Sequence, residues 1–139
     1  MSTQKINFVS PDEAVRLIES GDHVYIQGST SIPEVLCEAL ARRGNELKDV
    51  TLYSAFAVAK GPAPYCKPEF KDTFLVNSFF VSNSVRKWIA EGYGVTTPRF
   101  LGEVPELFRD GTCRVDVALI NCSEPDEEGY VSFGISADL

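Results

Sequence analysis

His23-Val24-Tyr25-Ile26-Gln27, followed by Gly28-Ser29-Thr30-Ser31-Ile32-Pro33, is the stretch on which the fold turns. The first five residues are β-branched, aromatic and aliphatic in the main, the composition of a strand. Gly28 ends that run, the next residues are small and polar, and Pro33 suits the opening of a helix, where its missing N–H costs nothing. The helix it opens carries an apolar face of Val35, Leu36, Ala39 and Leu40. A strand, a Gly/Ser/Thr loop and a helix in that order form the opening unit of a parallel sheet. Such sheets bind ligands in the crevice outside the carboxyl ends of their strands.

Reading outward confirms the alternation. Upstream, Ser10-Pro11-Asp12-Glu13 combines a capping serine, a proline in the first helical position and a glutamate at N3. This predicts a helix from 11 to about 20, with Ala14, Val15, Leu17 and Ile18 on one face and Gly21 as its breaker. Downstream, Val50–Ser54 reads as the second strand, and 55–70, which gathers Gly61, Pro62, Pro64 and Pro68, as a long irregular loop. Loops of that length are usually functional or mobile. A third strand is expected over 73–80, then a helix over 85–91 capped by Ser82 or Asn83 and stopped at Gly92. A short strand near 95–97 or 99–101, a helix over 104–108 and the most apolar strand, 115–121, follow. An acidic turn at 124–129 leads to a last strand over 130–136.

Near-continuous apolar strands alternating with helices predict an α/β fold, a mostly parallel sheet with helices on both faces. With 139 residues there is room for one domain. The sequence stops just past the last expected strand, with no helix to cover it. Residues 1–139 are therefore expected to be an incomplete domain of a larger protein, or one covered by a partner chain.

Composition narrows the function. Hydrophobic residues make up 44% and charged residues 24%, as in ordinary globular proteins, so disordered and fibrous classes drop out. The formal charge of −7 repels phosphate backbones and anionic lipid, so neither nucleic acid nor a membrane is an expected partner. The N-terminal MSTQKINFVSPDEA has no apolar core or Arg-rich pattern of a targeting segment. Cys37, Cys66, Cys113 and Cys122 lie far apart without CxxC spacing and read as reduced thiols, pointing to the cytoplasm. Cys113 and Cys122 are expected to be sheltered, and Cys66, in the irregular loop, to be the most reactive. With one histidine, His23, a zinc site would need three scattered thiols to converge, and no metal is expected.

The loop at Gly28, Ser29, Thr30 and Ser31 can receive an anion. Gly28 lets a ligand approach the backbone, three hydroxyls can donate, and the Pro33 helix offers free N–H groups. The plainer reading is a polar turn with an ordinary helix cap. The loop matches neither GxGxxG nor GxxxxGK[ST], so dinucleotide and P-loop assignments fail. Ser54 and Ser123 follow strands and would face one crevice if those strands are neighbours; either serves equally as a strand-end cap. His23 sits at the opposite end of its strand from the loop, which argues against a Ser/His/Asp triad.

Three segments carry a resemblance: SPDEAVRLIESGD, NSVRKWIAEGYGVTTPRFLGEVPELFRDG and VDVALINCSEPDEEGYVSFGISAD. They resemble the N-terminal region of the acetyl-CoA hydrolase/transferase family, most nearly its 4-hydroxybutyrate CoA-transferase group. The likeness runs in unbroken order from about residue 8 to residue 138, including an SxxDxxGY-like turn at Ser123 to Tyr130. It implies a NagB/RpiA/CoA-transferase-like fold with two related halves per subunit. It also implies CoA transfer between an acyl-CoA and a short-chain carboxylate, with coenzyme A as co-substrate, through a glutamyl-CoA thioester. The family's glutamate belongs to its C-terminal half, so no catalytic residue is expected within 1–139, and the chain alone should be inactive. The resemblance places substrate-side contacts at Gly28, Ser29, Thr30 and Ser31, at Ser54, Ala55 and Phe56, and at Ser123, Glu124 and Ser136. It implies as partners the C-terminal half and further copies of the chain. An acyl-CoA hydrolase of the same family and a non-catalytic anion-binding or assembly module remain the alternatives.

Overall fold

Alternation along the first strand sets the two faces of the sheet. In the computed structural model, which describes residues 7–138, Val24 and Ile26 of β1 (His23–Ile26) are buried while His23 and Tyr25 are half-buried on the opposite face. The other strands are β2 (Val50–Ser54), β3 (Phe74–Ser78), β4 (Gly94–Thr96) and β5 (Val117–Leu119). All pair in parallel, in the order β4-β3-β2-β1-β5. The chain therefore steps outward from β1 through β4, then returns to lay β5 on the other side of β1. That reversal makes a topological switch point between β1 and β5.

Helices cover both faces unequally. On one face α1 (Pro11–Ala14), α2 (Glu34–Arg42) and α3 (Asn83–Ala90) pack a continuous core. Val15, Ile18, Leu40, Val85 and Trp88 meet Val24, Ile26, Val50, Leu52, Phe74, Val76 and Leu119 there. On the other face the short α4 (Val104–Arg109) lays Val104, Leu107 and Phe108 against Tyr25, Tyr53 and Phe79. Leu75 and Val95 of that face stay 45% exposed, so α4 covers only part of it.

The departures from expectation have local causes. The first helix ends at Ala14 and tightens into a 3₁₀ turn, Val15–Leu17, because the Arg43 guanidinium takes the carbonyls of Val15 and Ile18. Its Ser10 cap is present, accepting from Glu13 N–H at 3.2 Å. The third helix starts at Asn83, where Ser82 occupies the cap position but spends its hydroxyl on Ser84 Oγ at 2.7 Å. The short strand lies at Gly94–Thr96. The strand expected over 115–121 is three residues long and sits at the sheet edge. Its ladder with β1 ends where the Gln27 side chain accepts the Asn121 N–H at 2.7 Å.

No strand forms over 130–136. Instead Ser123 and Ser132 pair across a closed turn, with Ser123 N–H on Ser132 O at 2.8 Å and Ser132 N–H on Ser123 Oγ at 3.0 Å. The Asp126 carboxylate fills that turn, accepting the N–H groups of Glu128 and Tyr130. Gly134, at φ +66°, then bends the chain back toward β1.

The irregular segment 55–70 is anchored rather than loose. Ala63, Tyr65 and Phe70 are buried, and Pro68–Phe70 forms a 3₁₀ turn. No helix among the described residues is long and apolar enough to cross a membrane.

Candidate functional site

The loop after β1 and the segment after β2 run side by side. A parallel bridge joins Ser29 to Ala57, Ser29 N–H donates to Phe56 O, and Val58 N–H donates to Ser29 O at 3.0 Å. Gly28 is required by this contact. A Cβ built there would stand 2.7 Å from Phe56 O, so its missing side chain admits the neighbouring backbone.

The loop's donors are largely committed. Gly28 N–H donates to Asp138 Oδ2 at 2.7 Å, Ser29 N–H to Phe56 O, and Ser31 N–H to Gly28 O at 3.2 Å. Ser29 adopts φ +55°, a left-handed conformation uncommon outside glycine. Thr30 is exposed and Ser31 is buried. Phe56, 47% exposed, and Val58, 51% exposed, present an apolar edge beside them.

Ser54 and Ala55 are buried at the end of β2, the alternation placing Ser54 on the α2–α3 face beside Ser78 of β3. The Ser54 hydroxyl has no hydrogen-bond partner among the described residues. Ser123 does not share a crevice with Ser54 through neighbouring strands, because β1 lies between β2 and β5. Ser123 and Glu124 are exposed, and Ser123 Oγ donates to Glu124 O at 2.9 Å within their own turn. Ser136 does reach the site, its carbonyl accepting from Gln27 Nε2 at 2.9 Å.

Sequence reasoning missed Gln27, Tyr25 and Asp138. Gln27 is 1% exposed and clamps the returning chain at two points, Asn121 N–H and Ser136 O. A glutamine closing an apolar strand was the available signal, since a buried amide needs partners on both sides. Asp138 carried none, because its contact spans 110 residues.

His23 lies at the far end of β1, its Nδ1 3.0 Å from the Tyr53 hydroxyl. It takes no part in the loop site. Among the described residues no group of three His, Cys, Asp or Glu side chains gathers as a metal site.

The thiols differ from expectation in two respects: Cys122 is exposed rather than sheltered, and Cys66 is half-buried and so not the most open, while Cys37 and Cys113 are buried. Burial, then the nearby carboxylates of Glu34 and Glu38, pushes the Cys37 thiol up to about 12, and burial alone pushes Cys66 up to about 12. Cys122 is therefore the thiol that reacts first in the native chain. Ellman's reagent under native conditions should show one fast phase that vanishes in Cys122→Ser; a fast phase surviving that substitution contradicts the assignment.

Comparison with known proteins places this geometry. The model of the acetyl-CoA hydrolase/transferase N-terminal domain matches residues 3–139. The 4-hydroxybutyrate coenzyme A transferase of Clostridium kluyveri is 37% identical over 134 residues, 96% of this chain and 31% of that protein. The succinyl-CoA:acetate/propanoyl-CoA:succinate CoA transferase of Fasciola hepatica is 35% identical over 130 residues, covering 92% of this chain and 26% of that protein. Among solved structures, 4-hydroxybutyrate CoA-transferase from Porphyromonas gingivalis superposes with a TM-score of 0.70 at 29% identity, over 92% of this chain and 28% of that one. RipA from Yersinia pestis does so with a TM-score of 0.76 at 25% identity, over 92% of this chain and 32% of that one. The chain spans about a quarter to a third of the length of the relatives it matches.

Proposed function

The chain belongs to the acetyl-CoA hydrolase/transferase family, and from that premise we propose that it is the N-terminal part of a CoA-transferase acting on an acyl-CoA and a short-chain carboxylate. The observation that carries this reading is the near-complete coverage of the chain by two proteins named as CoA transferases, at 37% and 35% identity. The position of the Gly28 loop, at the carboxyl end of β1 beside the switch point, supports it independently.

In this reading a glutamate outside residues 1–139 is the nucleophile. Its carboxylate attacks the thioester carbonyl, the C–S bond breaks, and an acyl–glutamyl anhydride and CoA thiolate result. The thiolate then attacks the glutamyl carbonyl, releasing the first carboxylate and leaving a glutamyl-CoA thioester. The acceptor carboxylate reverses the sequence and departs as the new acyl-CoA. CoA is the co-substrate, and no metal takes part.

The chain supplies the wall of the crevice. Gly28 and Ser29 hold the backbone of Phe56–Val58 close, and Phe56 and Val58 offer apolar surface to an acyl chain. Thr30, Ser31, Ser54, Ala55 and Ser136 complete the substrate side next to the loop, Ser123 and Glu124 offer contacts from their separate turn, and the family's C-terminal half and a further copy of the chain close the site. Cytoplasmic, reduced surroundings suit its four thiols.

The test is CoA transfer from acetyl-CoA to butyrate or 4-hydroxybutyrate. Residues 1–139 alone should give no turnover above a buffer blank, and the same residues followed by the remaining family segment should turn over. Hydrolysis without transfer would reassign the protein as an acyl-CoA hydrolase. Inactivity of both forms, with no heat of CoA binding, would favour a non-catalytic module.

A further inference from the structure

At the switch point the returning chain meets the Gly28 loop on a single oxygen. Gly28 N–H donates to Asp138 Oδ2 at 2.7 Å, and the Tyr25 hydroxyl donates to the same atom. The Tyr25 ring is held edge-on by Phe108 of α4, with centroids 5.7 Å apart and planes at 79°. Gln27, between the two donors in sequence, holds Ser136 O and Asn121 N–H. Three positions at and just after the end of β1, Tyr25, Gln27 and Gly28, are therefore occupied with holding Asn121, Ser136 and Asp138 in place.

Strain gathers here as well. Three non-glycine residues have positive φ among the described residues, and two of them flank this contact: Ser29 at +55° and Asp138 at +67°. Such conformations persist where surrounding contacts over-determine them, and they concentrate at ligand clamps and active sites. Burial, reinforced by the hydrogen bond to Asp138, holds the Tyr25 hydroxyl well above the ordinary phenol range, so it remains a proton donor at any physiological pH.

We infer that Asp138 is a positioning residue: its carboxylate fixes the Gly28 peptide and the Ser29 bend, and through them the Phe56–Val58 edge of the crevice. The functional half of this inference rests on the CoA-transfer reading above. A single oxygen accepts both donors, so an asparagine carbonyl can replace it, whereas alanine leaves a half-buried hydroxyl and an amide without an acceptor.

Two readouts test it. In the 139-residue chain, Asp138→Ala should speed amide hydrogen exchange at Gly28 at least tenfold and leave Val24 and Leu52 unchanged. Asp138→Asn should stay within threefold of the parent. In the enzyme completed with the remaining family segment, Asp138→Ala should lower kcat at least tenfold with KM for the acyl-CoA moving less than threefold. Asp138→Asn should recover most of that loss, and Tyr25→Phe should add little to Asp138→Ala because both act through one contact. Unchanged Gly28 exchange in Asp138→Ala overturns the inference, as does full activity once Gly28 has been released. If the completed parent enzyme moves no CoA, the functional reading fails, while the exchange measurement still decides whether Asp138 holds the loop.

Discussion

Phe74→Ala lowers the melting temperature by more than about 10 °C and loosens the irregular segment 55–70 that precedes it. Phe74 is 0% exposed at the start of β3, in edge contact with Phe70 at 5.8 Å and Tyr65 at 6.4 Å between centroids. Removing a buried phenylalanine costs about 3–5 kcal/mol, the sum of lost transfer energy and the cavity left behind. For a domain of this size that corresponds to a shift of roughly 10–20 °C. Tyr65 and Phe70 are the anchors of the irregular 55–70 segment, so the cavity also frees that segment. Limited proteolysis should show new cleavage near 58–62 in the variant before global unfolding. A small thermal shift with the parent cleavage pattern would mean that the loop is held by something other than this aromatic cluster.

Gly28→Val is expected to damage stability and activity together. The Cβ would lie 2.7 Å from Phe56 O, closer than real side chains come, and 3.1 Å from two further Phe56 backbone atoms, tighter than most. Backbone, unlike the far end of a side chain, has no rotamer to turn aside, so the Ser29–Ala57 bridge must open. A cost of about 3 kcal/mol, typical of severe overpacking, translates to roughly 10 °C. A glycine that leaves room for a ligand beside a polar loop, as the sequence reads, predicts a different split, with catalysis lost and stability kept. Thermal unfolding of Gly28→Val and Gly28→Ala separates the two: a melting temperature unchanged in both would restore the ligand reading.

How much was legible follows from the range over which each feature is decided. β2 was readable to the residue, because Val50–Ser54 is a β-branched and aromatic run between a charged connection and a break in pattern. The Ser10 cap and the proline-opened α4 were readable for the same reason, each being settled within four residues. The length of the first helix was not, since the Arg43 guanidinium that takes its carbonyls lies some 25 residues away. β5 reads as the most apolar strand, over 115–121, yet its place at the edge of the sheet is a matter of topology, which pattern does not carry. The last segment, 130–136, reads as a strand, yet its Tyr130, Val131, Phe133 and Ile135 are all exposed in the structure, where side chain-to-backbone bonds at Ser123, Asp126 and Ser132 shape the chain instead.

The candidate site was legible in the same proportion. The Gly28–Ser31 loop and the Ser54–Phe56 segment were picked from sequence, and the structure brings the loop against Phe56 and Ala57 directly. Ser123 and Glu124 were picked from the turn signature and are found within their own turn, apart from that contact. The family resemblance implies the chemistry, because the sequence singles out no nucleophile with a base beside it at the Gly28 loop and His23 lies at the far end of β1.

The central claim is that this chain walls a CoA-transfer site whose nucleophile lies elsewhere. Its most direct test is to incubate the completed enzyme with acetyl-CoA and map the covalent CoA adduct by peptide mass spectrometry. The account predicts a CoA thioester on a single glutamate outside residues 1–139, with every peptide of this chain unmodified. An adduct on Glu91, Glu103 or Glu124, or transfer without any glutamyl adduct, would contradict it.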